Sequence, residues 1–193
     1  MTTIGVLALQ GAFSKHIDMV HSLNVKAVAV RKPEDLSRCH GLIIPGGEST
    51  TIKRQIDFIQ MSHPLKQFAQ LRPLFGTCAG LILMSQEIIA DPMQPLGIIN
   101  VSVERNAFGR QYESFIANLK ANLSSSQAED VAAAFIRAPR IHQYGKEVEV
   151  LSTYQGEAVL VKQGMHLGAT FHPELTQSTA IHKYFISLIK SHY

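Results

Sequence analysis

The chain has 193 residues, of which 46% are hydrophobic and 17% are charged, and its formal net charge is +3. This composition excludes disordered and fibrous classes. The length fits one domain over residues 1–193. The basic residues are scattered and form no long run, which argues against nucleic-acid binding. No apolar stretch approaches the roughly 20 residues of a membrane span, and the N-terminus lacks a secretory pattern. Two cysteines are too few for a disulfide framework. We therefore expect a cytoplasmic protein.

The first half of the chain alternates apolar runs with helical patterns. Runs typical of buried parallel strands occur at 4–9, 25–30, 41–44 and 74–77. Apolar residues at helical spacing predict helices at 12–23, at 49–59, in a shorter stretch after Pro64 and at 79–85. This alternation predicts an α/β fold with a mostly parallel central sheet and helices on both faces.

The second half predicts antiparallel strands instead. Extended segments are indicated at 97–105, 113–119 and 131–136, with a polar loop at 122–130. Strands at 147–151, 158–162 and 166–170, separated by Gln-Gly pairs, predict a meander. An amphipathic helix is predicted over 179–191. We therefore expect an antiparallel section beside the parallel sheet.

A cysteine flanked by glycines stands where the fourth predicted strand meets a helix. Gly76-Thr77-Cys78-Ala79-Gly80 has the spacing of a nucleophile elbow. Glycines allow the close backbone approach and the strained dihedral angles of a tight turn. A helix N-terminus favours a thiolate, and the Ala79 N–H would point at a developing oxyanion. A buried structural cysteine is the alternative interpretation of the same five residues.

His172-Pro173-Glu174, directly after the last predicted strand, supplies a base and an acid. In an extended segment residues two apart point to the same side, so His172 and Glu174 can lie together, and Pro173 favours the extended form at His172. A carboxylate beside an imidazole fixes its tautomer and stabilises the imidazolium. The alternative is a strand-end turn with solvated polar groups.

A glycine pair follows the third predicted strand in Gly46-Gly47-Glu48. Consecutive glycines expose backbone N–H groups, which suits an oxyanion hole or a substrate carboxylate. Alternatively, this is a loop in which Ser49 or Thr50 caps the next helix. Since open α/β sheets bind ligands at the carboxyl ends of their strands, three such motifs at three strand ends favour one shared site.

Six segments in order carry a resemblance to a known family. They are LALQGAF (7–13), PGGESTT (45–51), FGTCAGL (75–81), VERNAFGRQ (103–111), FIRAPRI (135–141) and GATFHPELT (168–176). Together they resemble the class I, triad-type glutamine amidotransferases, and among these the glutaminase subunits of pyridoxal 5′-phosphate synthase. The resemblance covers essentially the whole chain and implies the flavodoxin-like fold of that class.

The resemblance also implies a role for each matched position. It makes Cys78 the nucleophile, His172 the general base and acid, and Glu174 the orienting acid. The implied glutamine-binding residues are Gly46, Gly47, Glu48, Arg105, Ile136 and Arg137. The implied oxyanion hole is formed by Ala79 and Gly47, with Gln10 as its organiser when a partner docks. Without the resemblance, Arg105 and Arg137 would more simply be surface ion-pair residues.

The implied activity is hydrolysis of L-glutamine to L-glutamate and ammonia, with the ammonia channelled to a synthase subunit that makes pyridoxal 5′-phosphate, a form of vitamin B6. The implied assembly is a synthase dodecamer decorated by glutaminase subunits that are nearly idle until docked. We expect no cofactor and no metal, a packed core position for Cys39, and surface or capping roles for the other eight histidines. Two alternatives stay open: a different cysteine hydrolase, and a non-enzymatic α/β module in which Cys78 senses oxidants.

Overall fold

A computed structural model of the protein describes residues 2–105, 114–124 and 127–191. Its strands are β1 (Thr3–Leu7), β2 (Lys26–Val30), β3 (Gly41–Ile44), β4 (Leu74–Thr77), β5 (Ser85–Ile88), β6 (Ile99–Glu104), β7 (Ser114–Ala121), β8 (Glu129–Ile136), β9 (Arg140–Tyr144), β10 (Glu149–Tyr154), β11 (Glu157–Gln163) and β12 (His166–Ala169). Its α-helices are α1 (Phe13–Ser22), α2 (Ser49–Phe58), α3 (Ser62–Leu71), α4 (Ala79–Met84) and α5 (Ala180–Lys190). Short 3-10 helices occupy Pro33–Arg38 and Pro173–Leu175.

The central sheet has seven strands in the order β10-β11-β12-β4-β3-β1-β2. The five strands from β12 to β2 are parallel, whereas β10, β11 and β12 form an antiparallel meander. The predicted parallel core and the predicted meander are therefore parts of one sheet. The carboxyl ends of β12, β4, β3 and β1 lie side by side at one edge.

The sheet is covered on both faces, because successive strand residues point to opposite sides. In β3, Leu42 and Ile44 belong to the apolar cluster that contains residues of α2, α3 and α4. Ile43, between them, belongs to the cluster that contains residues of α1 and α5. Both clusters are fully buried at these strand positions, which explains why the parallel strands are continuous apolar runs.

Two smaller sheets extend these layers. Strands β5, β6 and β9 form a three-stranded sheet whose buried residues join the cluster of α2, α3 and α4. Strands β7 and β8 form an antiparallel pair that packs with α1 and α5. This pair carries its last residue, Ile136, to the cavity described below.

Most element boundaries lie within three residues of those predicted, but four elements of the described residues were missed, one of them the 3-10 helix Pro173–Leu175 discussed below. No local pattern marks β5, which follows α4 directly and begins with three polar residues, or β9, whose residues are mostly exposed and polar. The 3-10 helix Pro33–Arg38 was also missed. Helix α3 begins at Ser62, two residues before Pro64, and is as long as α2, because proline is tolerated in the first turn of a helix.

Some sequence-based predictions fall on residues that are not described. The segment 106–113 separates the two predicted extended stretches and holds most of the motif VERNAFGRQ, and residues 125–126 belong to the predicted loop; both lie outside the described residues. Among the helices of the described part of the chain, none combines the length and apolar character needed to cross a bilayer.

Candidate active site

The sequence motifs meet at the carboxyl edge of the four adjacent strands β1, β3, β4 and β12. Gln10 follows β1, Gly46 and its neighbours follow β3, Cys78 follows β4, and His172 follows β12. Because these strands are parallel neighbours, residues far apart in sequence come to one place. The site predicted from separate motifs is thus a single location in the fold.

Cys78 is the residue at which the chain turns from β4 into α4. Its backbone has φ 48° and ψ −105°, which a non-glycine residue adopts only under strain. The Cys78 N–H donates to the Ala169 carbonyl at 2.9 Å, which holds the turn against β12. The Ala79 N–H, at the first position of α4, has no acceptor within the helix. The elbow geometry is therefore present, with the strain on the cysteine itself.

The flanking glycines allow close packing of the elbow. A Cβ on Gly76 would lie 2.6 Å from the Gly80 carbonyl carbon, and a Cβ on Gly80 would lie 1.9 Å from the Ile44 carbonyl oxygen. Neither glycine has a positive φ. Because these glycines have no side chains, α4 can approach β3 and β4 closely, as expected. The strained dihedral angles, which were expected at the glycines, belong to Cys78 instead.

His172 and Glu174 are in direct contact, with 2.8 Å between His172 Nδ1 and Glu174 Oε1. The expected reason was wrong: Pro173–Leu175 is a 3-10 helix rather than an extended segment. The tight turn folds Glu174 back under the ring, and the His172 N–H donates to the Ala134 carbonyl at 2.7 Å. Both residues are buried, so the alternative of solvated polar groups at a strand end is also wrong.

The His172 ring is charged in this environment. Burial of the ring opposes the charge, but hydrogen bonds to Cys78 and Glu174, together with their negative charge, raise the pKa of His172 from 6.5 to about 10. Because Nδ1 faces Glu174, the Nε2–H is the donor left for Cys78. An imidazolium placed in this way stabilises a thiolate on Cys78.

We expect an NMR titration of the His172 ring to show a midpoint near pH 10. The folded protein then keeps a proton that the unfolded chain loses near pH 6.5. The stability contributed by this group is complete below pH 6.5 and disappears as the pH rises through about 10. In Glu174→Gln the midpoint should fall, because one hydrogen-bonding anion is removed. An unchanged midpoint in that variant would contradict the role of the contact.

The glycine loop after β3 is held from two sides. The Gly46 N–H donates to Thr77 Oγ1 at 3.1 Å, and the Gly46 carbonyl accepts from the Ala12 N–H at 3.0 Å. In a trans peptide the N–H points opposite to the carbonyl, so the Gly47 N–H points away from Ala12. Since the Gly46 N–H is already used, Gly47 is the glycine whose N–H remains for an oxyanion.

Glu48 begins α2 and caps it. Its side-chain Oε2 accepts from the Thr51 N–H at 2.8 Å, so the N-cap is Glu48 and not Ser49 or Thr50, as the alternative interpretation of the loop proposed. The Glu48 N–H donates to Gln10 Oε1 at 2.8 Å. Gln10 therefore ties the end of β1 to the glycine loop.

A cavity of about 470 Å³ opens above Cys78. Its volume is within the range of small-molecule sites. Eight predicted site residues line it, namely Gln10, Gly47, Glu48, Cys78, Arg105, Ile136, Arg137 and His172. Ser49 and Ile82 also line it and were not predicted. The other predicted residues, Gly46, Ala79 and Glu174, are buried behind the lining.

Arg105 reaches the cavity and is held by two carboxylates. It donates to Asp91 Oδ2 at 2.7 Å and to Glu48 Oε1 at 3.2 Å. The ion-pair and substrate-binding interpretations of Arg105 are thus compatible. The segment 91–95 carried no functional signal in the sequence, yet it supplies Asp91.

On the opposite wall of the cavity, the Ile136 carbonyl lies 3.9 Å from Cys78 Sγ, and Arg137 has a left-handed backbone with φ 43°.

Two histidines expected at the surface are buried instead. His16 in α1 and His182 in α5 are 0% and 1% exposed. The available signal was periodicity, since His16 falls on the apolar stripe of α1 with Phe13 and Val20. The capping expectation holds for His40 and His166, which accept the N–H groups that begin β1 and β4. Cys39 is buried in the apolar core, as expected.

Comparison with known proteins shows the family to which the chain belongs. A family model described as the SNO glutamine amidotransferase family matches residues 6–191. The chain belongs to the SNO glutamine amidotransferase family. The resemblance inferred from six motifs is therefore confirmed at the level of the family.

Curated relatives of this family member match along nearly its full length. The chain is 47% identical over 191 residues to the pyridoxal 5′-phosphate synthase subunit PdxT of Geobacillus sp. (strain WCH70), covering 98% of both chains. It is 46% identical over 188 residues to the protein of the same name from Thermosipho africanus (strain TCF52B), covering 97% of this chain and 98% of the relative.

Solved structures confirm the predicted fold class. A crystal structure of a glutamine amidotransferase matches with a TM-score of 0.91 at 42% identity, covering 97% of this chain and 98% of the other. The structure of PurLQS from Thermotoga maritima matches with a TM-score of 0.70 at 13% identity, covering 96% of this chain and 98% of the matched one. The second match shows the fold alone.

Proposed function

We propose that this chain, acting as one glutaminase domain, is the glutamine-hydrolysing subunit of a pyridoxal 5′-phosphate synthase. The single observation that carries the proposal is the line from Cys78 through His172 to Glu174, beside the N–H groups of Ala79 and Gly47. Family membership and the names of the full-length relatives support the substrate and the assembly.

In the proposed reaction, the Cys78 thiolate attacks the side-chain amide carbon of glutamine. The carbonyl oxygen becomes an oxyanion that accepts hydrogen bonds from the Ala79 and Gly47 N–H groups. His172 Nε2–H gives its proton to the departing nitrogen, ammonia leaves, and a glutamyl thioester remains on Cys78. His172, now neutral, then takes a proton from the water that attacks the thioester, so glutamate is released and the Cys78 thiolate is restored beside the charged ring.

Glu174 acts on this reaction through His172. Its Oε1, at 2.8 Å from Nδ1, keeps the ring in the orientation that presents Nε2 to Cys78 and stabilises the positive charge that the ring carries. Gln10 would organise the oxyanion hole through the Glu48 N–H when the synthase docks. The ammonia would pass to that synthase in a hetero-oligomer, with glutaminase subunits around a synthase dodecamer.

Glutamine itself would lie with its amide over Cys78 and its charged end toward Arg105. We expect Arg105→Gln to raise the KM for glutamine by about 10- to 100-fold with a smaller effect on kcat, because one charged hydrogen bond to a non-reacting part of the substrate is lost. Arg38→Gln is the matched control, since Arg38 also pairs with an aspartate, Asp35 at 2.8 Å, and neither residue lines the cavity. A larger loss in kcat than in KM would contradict this assignment.

The test of the function is ammonia release from glutamine, measured with and without a synthase subunit. The proposal predicts release that the synthase stimulates strongly, because such coupling prevents loss of free ammonia. Hydrolysis of an ester or a peptide bond, without hydrolysis of glutamine, would favour another cysteine hydrolase. Absence of any turnover, with reversible oxidation of Cys78, would favour the redox-sensing alternative.

A further inference from the structure

The polar contacts of the site do not end at Glu174 but continue into the core. Glu174 Oε2, the oxygen not used by His172, lies 3.3 Å from His16 Nε2, and both side chains are 0% exposed. His16 Nδ1 lies 2.9 Å from His182 Nε2. The reaction proposed above uses neither histidine, so this buried pair requires its own explanation.

Both histidines are neutral. Burial, with smaller electrostatic contributions from the neighbouring His182 and His172, holds the pKa of His16 well below its ordinary value. Burial alone lowers the pKa of His182 to about 3. Each ring therefore carries one N–H, and the question is which nitrogen holds it.

The carboxylate decides the tautomer of His16. An ionised Glu174 only accepts hydrogen bonds, so a bare His16 Nε2 would place a lone pair against its oxygen. With the proton on Nε2, His16 donates toward Glu174, and its Nδ1 accepts from the Nε2–H of His182. The remaining atom, His182 Nδ1, is then an unpaired acceptor, and it is one of the buried atoms without a hydrogen-bond partner among the described residues.

The opposite tautomer, with the proton on His16 Nδ1, gives less favourable contacts with both Glu174 and His182. It would direct a lone pair at Glu174 and would leave a buried N–H on His182 Nδ1 without an acceptor. Glu174 Oε2 is also a buried atom that lacks a well-aligned hydrogen bond within the described residues. His16 Nε2 makes its hydrogen bond to Thr77 Oγ1 at 3.2 Å and lies 3.3 Å from Glu174 Oε2, so its N–H is the donor placed to serve both.

The surroundings keep the two rings in place. His16 and His182 both make edge-on contacts with the Phe75 ring, at centroid distances of 6.3 Å and 5.8 Å. Helix α1, which carries His16, packs directly against the 3-10 helix that carries Glu174. Thr77, the second neighbour of His16 Nε2, accepts the Gly46 N–H. His16 thus contacts the acid of the site and the support of its glycine loop.

We infer that His16 is a positioning residue: its Nε2–H, set by the carboxylate and kept in that tautomer by the N–H of His182, holds the second oxygen of Glu174 so that the first stays directed at His172. This inference rests on the proposed function, because Glu174 acts there through His172. Without His16, the carboxylate has a free oxygen in the core and can rotate, and His172 then loses its fixed orientation toward Cys78.

The test compares two substitutions of His16 in the complex with the synthase subunit. His16→Phe keeps a ring but has no donor, whereas His16→Gln keeps an amide N–H in place of Nε2–H. We expect kcat for glutamine to fall about 10- to 100-fold in His16→Phe, with KM within about twofold, and to stay within about threefold of wild type in His16→Gln. Equal kcat values for the two variants, or wild-type kcat in His16→Phe, would overturn the inference.

A second readout does not depend on glutaminase activity. Alkylation of Cys78 by iodoacetamide at neutral pH reports the thiolate that His172 stabilises, so it should slow in His16→Phe and recover in His16→Gln. If wild type released no ammonia, the proposed function would fail, while this alkylation pattern would still decide the inference.

His182→Phe provides a third variant if His16→Phe does not fold. It removes the donor that fixes the tautomer but leaves His16 in place, so kcat should fall about 3- to 10-fold with KM unchanged. Wild-type kcat in His182→Phe would show that His182 does not fix His16.

Discussion

Replacing Cys78 by alanine is expected to lower synthase-stimulated ammonia release from glutamine by at least about a thousandfold, because no other group can form the thioester. Folding should be retained and stability should change little, because alanine keeps the Cβ that is strained at φ 48° and removes only the sulfur. The measurement is ammonia release per enzyme at saturating glutamine, together with a thermal unfolding curve.

Cys39→Ala is the matched control for this substitution. Cys39 is buried, and burial raises the pKa of its thiol to about 11, so it does not provide a thiolate at neutral pH. The variant should keep its activity and lose some stability from a small cavity. Synthase-stimulated release that survives in Cys78→Ala would show that the nucleophile is a different residue.

Gly46→Ala should cost about a hundredfold in kcat although it adds one methyl group. A Cβ at this position would lie 2.2 Å from His172 Cε1 and 2.8 Å from Nδ1, so the ring must move by an ångström or more. Displacements of this size between reacting groups cost about two orders of magnitude in rate. Gly46 has no positive φ, so the backbone tolerates alanine and the effect falls on the ring.

Gly164→Ala separates this effect from a general cost of replacing glycine. Gly164 has φ +57°, and a Cβ there would meet nothing within 4 Å. The variant should lose about 1 kcal/mol of stability and keep its full kcat. If Gly46→Ala kept wild-type kcat, or lost only stability, the close contact between the glycine loop and His172 would have no part in the reaction.

The fold was predictable where local pattern and burial agree. Strands β3 and β4 are short, fully buried segments, and Pro45 follows the first while Pro73 precedes the second, so their limits were predicted without error. Strand β9 could not be found, because its exposed polar residues lie at the edge of a small sheet and carry no alternation. Its position depends on pairing with β6, which is a tertiary contact rather than a local property.

The site was predictable where the chain itself brings residues together. The elbow at Cys78 and the pair His172 and Glu174 are local motifs, although the pair meets through a 3-10 turn that Pro173 begins. The contact of His16 with Glu174 joins residues 158 positions apart, through the packing of α1 on that turn. In the sequence, only the position of His16 on the apolar face of α1 indicated that its side chain is buried.

The central claim is that Cys78 is the residue that glutamine acylates, and covalent labelling tests it most directly. The complex with the synthase subunit would be treated with a chloroketone analogue of glutamine, digested, and mapped by mass spectrometry. The predicted result is one label, on the peptide containing Cys78, that excess glutamine prevents and that Glu174→Gln slows. A label on Cys39 or elsewhere, or labelling of Cys78 that glutamine does not prevent, would contradict it.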